Sequence, residues 1–95
     1  MQLEITARAR EDMFKIQTSS IAQLGILQTD KFFDGLTALF KLIAHSPFIA
    51  SERLEFSKPI RLHAYKNLII AYRIDGNVVK VVRVVHGRQD LKQIF

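Results

Sequence analysis

At 95 residues the chain is the size of one domain, spanning 1–95, and is long enough to bury a core without covalent staples. It has no cysteine, which excludes disulfides, thiolate nucleophiles and Cys-ligated metals, and no run of the roughly 18 apolar residues that a membrane span needs. Fourteen Lys and Arg against nine Asp and Glu leave a formal charge of +5, which favours an acidic partner without choosing among nucleic acid, protein and peptide.

The opening "MQLEITARARED" carries charge where an export signal would be apolar, so a cytoplasmic chain is expected. Within it, "LEIT" at 3–6 alternates apolar and polar residues and reads as a short strand. From Ala7 to about Leu24 the period becomes helical. Met13, Ile16 and Leu24, helped by Ala9 and Ser20, fall near one stripe, Phe14 and Ile21 widen it, and Gly25 is the expected stop. In "QTDKFFDGLTALFKLIAHSP", Phe32, Leu36, Leu39, Phe40 and Ile43 stand at i, i+4, i+7, i+8 and i+11, a wide amphipathic stripe. Thr29 or Asp30 is the expected cap, and Pro47 prevents continuation at the far end. The short gap between the two helices predicts an antiparallel hairpin.

Residues 48–58 form a connector with no strong period. Three strand-like runs then follow closely: "IRLHAY" (60–65), "NLIIAYRI" (67–74) and "VVKVVRVV" (78–85). "DGN" between the last two is a tight-turn signal, since Gly76 and Asn77 tolerate positive φ. The first run places Arg61, His63 and Tyr65 on one face and Ile60, Leu62 and Ala64 on the other. The other two are apolar on both faces, as central strands are. The expected fold is therefore α+β, in the order β-α-α-β-β-β, with a helical hairpin laid on one face of a small, mainly antiparallel sheet.

Four arginines (Arg61, Arg73, Arg83 and Arg88) fall on or just after these strands, together with His63 and His86. Such groups can clamp phosphates and transfer protons near neutral pH. Arg83, alternating with Val81 and Val85, would need a counter-charge if half buried, and Asp12 and Asp90 are the candidates. His86-Gly87 reads as a strand ending in which Gly supplies a backbone angle that others resist, with Arg88 displayed just beyond it. Tyr72 reads as core with its hydroxyl at an edge. Three scattered His without an H-x-x-x-H, and four glycines standing singly, give neither a metal site nor a phosphate loop. No cofactor or metal is expected.

The residues Ala9-Arg10-Glu11-Asp12-Met13-Phe14-Lys15-Ile16, then Arg61, "LIIAYRI" with Tyr72 and Arg73, and "VVRVVHGRQD" with Arg83, His86, Gly87, Arg88 and Asp90 together resemble the ParE/RelE superfamily of bacterial type II toxins. The similarity covers nearly the whole chain, and its C-terminal third is the specific part. One departure is Ala50, where the family often has a glycine three residues after the proline. The H-G-R-x-D ending is closer to the ParE side, which implies growth inhibition by binding and poisoning DNA gyrase, without catalysis.

The enzymatic alternative implied by the superfamily is a ribosome-dependent mRNA endoribonuclease. It would use Arg61, Arg83 and Arg88 as phosphate clamps and His86 or His63 for proton transfer. RelE-like nucleases commonly end in a Tyr or a His-Tyr pair, whereas "LKQIF" closes on Phe95, which has no ionisable proton. A third alternative is a binding module that has lost toxicity and buffers its antitoxin. Partner contacts are expected at Arg88, Asp90 and Phe95, at Arg73 and Arg61, and on the exposed face of the helical hairpin. The resemblance also implies a ParD-like antitoxin with a disordered, often acidic tail that folds on the toxin. Operator DNA would be contacted only through that complex, and no membrane partner is expected.

Overall fold

Thr6 starts the first helix for a local reason. Its backbone is extended, and its hydroxyl accepts the Ala9 N–H at 3.2 Å, one of the donors that a helix start leaves free. A computed structural model describes residues 1–95. It places β1 at Gln2–Ile5, α1 at Ala7–Leu24 and α2 at Ile26–His45. Gly25 alone separates the helices, at φ 85°, and its N–H closes α1 on the Ile21 carbonyl at 2.9 Å. A left-handed angle at this point suits glycine.

The cap expected at Thr29 or Asp30 is not there, because the chain re-enters a helix directly at Ile26. Thr29 instead lies buried inside α2. Its hydroxyl donates back to the Gly25 carbonyl at 2.8 Å and meets the Ser20 hydroxyl at 2.8 Å, which ties the two helices together.

The remaining elements are β2 (Glu52–Arg53), β3 (Ile60–Tyr65), β4 (Leu68–Asp75), β5 (Val78–His86) and a short α3 (Leu91–Ile94). The five strands form one sheet in the order β1-β5-β4-β3-β2, with β1 parallel to β5 and the other neighbours antiparallel. The expected α+β order is present. The two-residue β2 and the one-turn α3 are additions that periodicity does not reveal, being too short to show a period. Of the Gly76–Asn77 pair, only Gly76 takes a positive φ, 59°. No helix is long and apolar enough to cross a membrane.

The core lies between the helical hairpin and one sheet face. Leu36, Phe40 and Ile43 of α2 and Ala9 of α1 meet Leu68, Ile70 and Tyr72 of β4 and Val79, Val81 and Val84 of β5. Met13 and Ile16 pack against this cluster, but Phe14, Ile21 and Leu24 do not: they are 69%, 39% and 63% exposed. The inward stripe of α1 is therefore Ala9, Met13, Ile16 and Ser20, while the larger side chains form a second stripe facing away.

The buried valines of β5 change parity between Val81 and Val84, and a β-bulge explains it. Tyr72 pairs with Val81 and Ala71 with Arg83, leaving Val82 as the extra residue. Strict alternation would carry Arg83 into the core after Val79 and Val81. The bulge moves it out and brings Val84 in.

On the other sheet face, Ile60, Ala71 and Val85 are also buried. The C-terminal segment lies on this side: Phe95 sits edge-on to Phe56 with centroids 5.6 Å apart, and its carbonyl accepts the Ser57 hydroxyl at 2.9 Å. Gly87 needs no special backbone angle, contrary to the expectation for the strand ending. Its φ is not positive, and a Cβ there would meet its nearest neighbours at an ordinary 3.7 Å.

Candidate functional site

Strand β1 stops at Ile5, where it pairs with Val81, so β5 has no strand neighbour on that side beyond the bulge. Side chains fill the gap. The Thr6 hydroxyl donates to the Val82 carbonyl at 3.3 Å, Asp12 accepts the Val84 N–H at 3.0 Å, and Gln89 Oε1 accepts the His86 N–H at 3.1 Å. Asp12 also takes a two-pronged bond from Arg83, Nε at 2.7 Å and the terminal nitrogen at 3.0 Å. Of the two candidate counter-charges for Arg83, Asp12 is the one present. Asp90 serves as the cap of α3, accepting the Lys92 N–H at 3.1 Å.

Beside this edge a cleft of about 290 Å³ runs between α1 and β5, lined by Arg8, Asp12, Lys15, Arg83, His86 and Gln89 among others. His86 is exposed and also borders a smaller cavity further along α1, with Ser19, Gln23 and Asn67. His86 and Arg83 are the two residues of the nuclease alternative that share a cleft.

Arg61 lies two strands away, on β3. Its guanidinium donates to the Ala50 carbonyl at 2.6 Å and sits 5.1 Å above the Phe48 ring. The same turn receives Tyr72, whose hydroxyl donates to the Pro47 carbonyl at 2.8 Å and accepts the Ala50 N–H at 3.4 Å. Burial pushes the Tyr72 hydroxyl pKa up, opposed in part by the Ala50 bond and the Arg61 charge. His63, on the same strand as Arg61, is half-buried with Nδ1 2.8 Å from the Ala64 carbonyl.

On the far sheet face a second open cavity, of about 260 Å³, is lined by Arg73, Phe95, Lys58, Ser57, Ile60 and Ile94, with Val82 and Arg83 at its floor. Arg73 is half-buried there. Arg88 stands apart, exposed and without an ion-pair partner. The sequence candidates are thus spread over four places, three of them being the α1–β5 cleft (Arg83, His86), the far-face cavity (Arg73, Phe95) and the turn after α2 (Arg61). Arg88 and Asp90 occupy the loop between β5 and α3.

The exposed face of the helical hairpin, expected to contact a partner, carries residues that the period of α1 had assigned to its inward stripe. Phe14, Ile21 and Leu24 on α1 continue into Ile26 and Leu27, which are 63% and 79% exposed at the start of α2. Positions 14, 21 and 24 share one helix face at the 3.6-residue period, so plotting α1 alone would have revealed two apolar stripes. Exposed apolar surface grouped like this marks an interaction site.

The family model for the ParE toxin of the type II toxin–antitoxin system parDE matches residues 3–91. The chain belongs to the ParE toxin family. Among solved structures, one described as the chromosomal ParDE toxin–antitoxin system from P. aeruginosa superposes with a TM-score of 0.77 at 17% identity, covering 90% of this chain and 95% of that one. At such low identity the likeness concerns the fold. No match was found among curated proteins. For this ParE-family toxin the family match runs from Leu3 of β1 through β5, so it includes the Asp12–Arg83 pair, the bulge and the α1–β5 cleft, whereas Ile94 and Phe95 of the far-face cavity lie beyond it.

Proposed function

We propose that this toxin arrests growth by binding DNA gyrase and holding it on cleaved DNA, and that a ParD-like antitoxin neutralises it. Membership of the ParE family carries the proposal. It is supported by the engagement of two nuclease candidates in holding the fold: Arg83 by Asp12, and Arg61 by the Ala50 carbonyl and Phe48. The exposed Arg88 and the segment that follows it are the proposed gyrase contacts. The apolar strip from Phe14 to Leu27 is the proposed seat of an antitoxin segment, and the +5 charge favours an acidic one.

The test is a gyrase supercoiling assay with purified toxin, scoring lost supercoiling and trapped cleaved plasmid, with antitoxin-saturated toxin as control. Dose-dependent cleaved complex, relieved by antitoxin, is the expected result. Full supercoiling at large excess of a toxin that still arrests cells would overturn the gyrase target and turn attention to ribosomes.

A further inference from the structure

Five of the fourteen Lys and Arg residues, Arg8 among them, stand within 4.0 Å of a carboxylate. Arg83 has Asp12, Arg53 has Glu55, Lys80 has Asp75 and Lys15 has Glu11. Lys58 and Arg73 have no carboxylate within 4.0 Å, and both line the far-face cavity beside α3. No Asp or Glu lines that cavity, whereas the α1–β5 cleft contains Asp12 between its cations. The third cation on its floor, Arg83, is already neutralised. The remaining wall is apolar, formed by Ile60, Val82, Ile94 and Phe95.

Two unpaired cations of this kind, one a planar guanidinium half-buried in the sheet, select a ligand with a planar oxyanion. The apolar wall selects an uncharged group carried next to it. In an extended peptide, alternate side chains on one face lie roughly 6–7 Å apart, a span such a cavity can accept. We infer that the Lys58–Arg73 cavity is a docking site for a carboxylate side chain and a neighbouring apolar side chain of an acidic extended peptide. The inference deepens the antitoxin reading above and rests on it for the source of that peptide. The cavity lies across the sheet from the helical hairpin, so such a peptide grips a second face of the toxin.

The test is an amide NMR titration of the full chain with the synthetic peptide Ac-Glu-Ser-Leu-Ser-NH2, whose Glu and Leu lie on one face when the peptide is extended. Shift changes are expected at Ser57, Lys58, Arg73, Ile94 and Phe95. Arg73→Glu should weaken binding by about tenfold or more. Lys41→Glu, an equal charge change on exposed α2, should leave it within about twofold. Lys58→Gln, in a loop outside the sheet, gives the same loss without straining the fold. Equal binding of the Gln-for-Glu peptide, or shifts confined to the α1–α2 hairpin, would overturn the inference. So would the same shifts with inorganic phosphate at equal concentration, which would mark a general phosphate site. The gyrase assay reads a different event, so failure of either leaves the other standing.

Discussion

Asp12 and Arg83 are 71 positions apart and meet through two hydrogen bonds, while the same carboxylate accepts the Val84 N–H. One side chain of α1 therefore fixes both a cation and a bare strand edge. The side chains are only 11% and 18% exposed, so removing one partner strands the other away from water. Asp12→Ala should lower stability by about 2–4 kcal/mol. The double variant Asp12→Leu with Arg83→Met should lose less than the two single losses combined, because no charge is left unpaired. Urea unfolding of the four proteins of this cycle measures the coupling, and simple additivity would deny it.

Gly35 behaves unlike an ordinary helix glycine. A Cβ there would run into the Tyr65 hydroxyl, which donates to the Phe32 carbonyl at 2.6 Å and pins β3 to α2. Glycine to alanine inside a helix normally gains up to about 1 kcal/mol. Here Gly35→Ala should instead destabilise, and adding Tyr65→Phe should recover part of the loss. Thermal melts of the single and double variants decide this, and a stabilised Gly35→Ala would refute the close contact.

Tyr72 makes stability fall in alkali. Its hydroxyl has a raised pKa in the folded protein, first because it is buried. The folded state thus keeps the proton more tightly than the unfolded chain. That contribution is fully present below the unfolded value, about 10, and is lost as pH rises through the folded value. The midpoint of thermal unfolding should drop above about pH 10, and Tyr72→Phe should flatten the drop while costing about 1 kcal/mol at neutral pH. An unchanged alkaline slope in Tyr72→Phe would assign the drop to other groups.

If gyrase is the target, His86→Ala should remain fully toxic, because no proton transfer is asked of that ring. Arg88→Glu should weaken gyrase poisoning by about tenfold while leaving the melting temperature unchanged, as expected for an exposed contact arginine. Growth curves after induction test the first variant and the supercoiling assay the second. Loss of toxicity in a folded His86→Ala would favour the endoribonuclease.

The strands and helices were legible because their periods run for several residues: Leu36, Phe40 and Ile43 inside α2 are the clearest example. The ion-pairing need of Arg83 was legible too, but not the bulge that re-aims it, since "VVRVV" is apolar in either register. Thr29 misled because a threonine before an apolar run resembles a cap, and only the glycine break at 25 places it inside the helix. The Lys58–Arg73 cavity was invisible in the sequence. Its walls come from β3, β4, β5, α3 and a connector, and only their packing brings them together.

The placement of β1 also bears on how the protein comes into being. Gln2 to Ile5 pair with Val78 to Val81, and Thr6 reaches Val82 across 76 positions. During synthesis the first strand thus waits, unpaired, until nearly all the chain has left the ribosome. Meanwhile the emerging helical hairpin presents Leu36, Phe40 and Ile43 to water. Contacts so distant in sequence form slowly, so a nascent chain passes through a stage with its sheet still open. In that interval the apolar face of the hairpin is uncovered, so a partner that reaches the chain early meets a different surface from the one the finished fold presents.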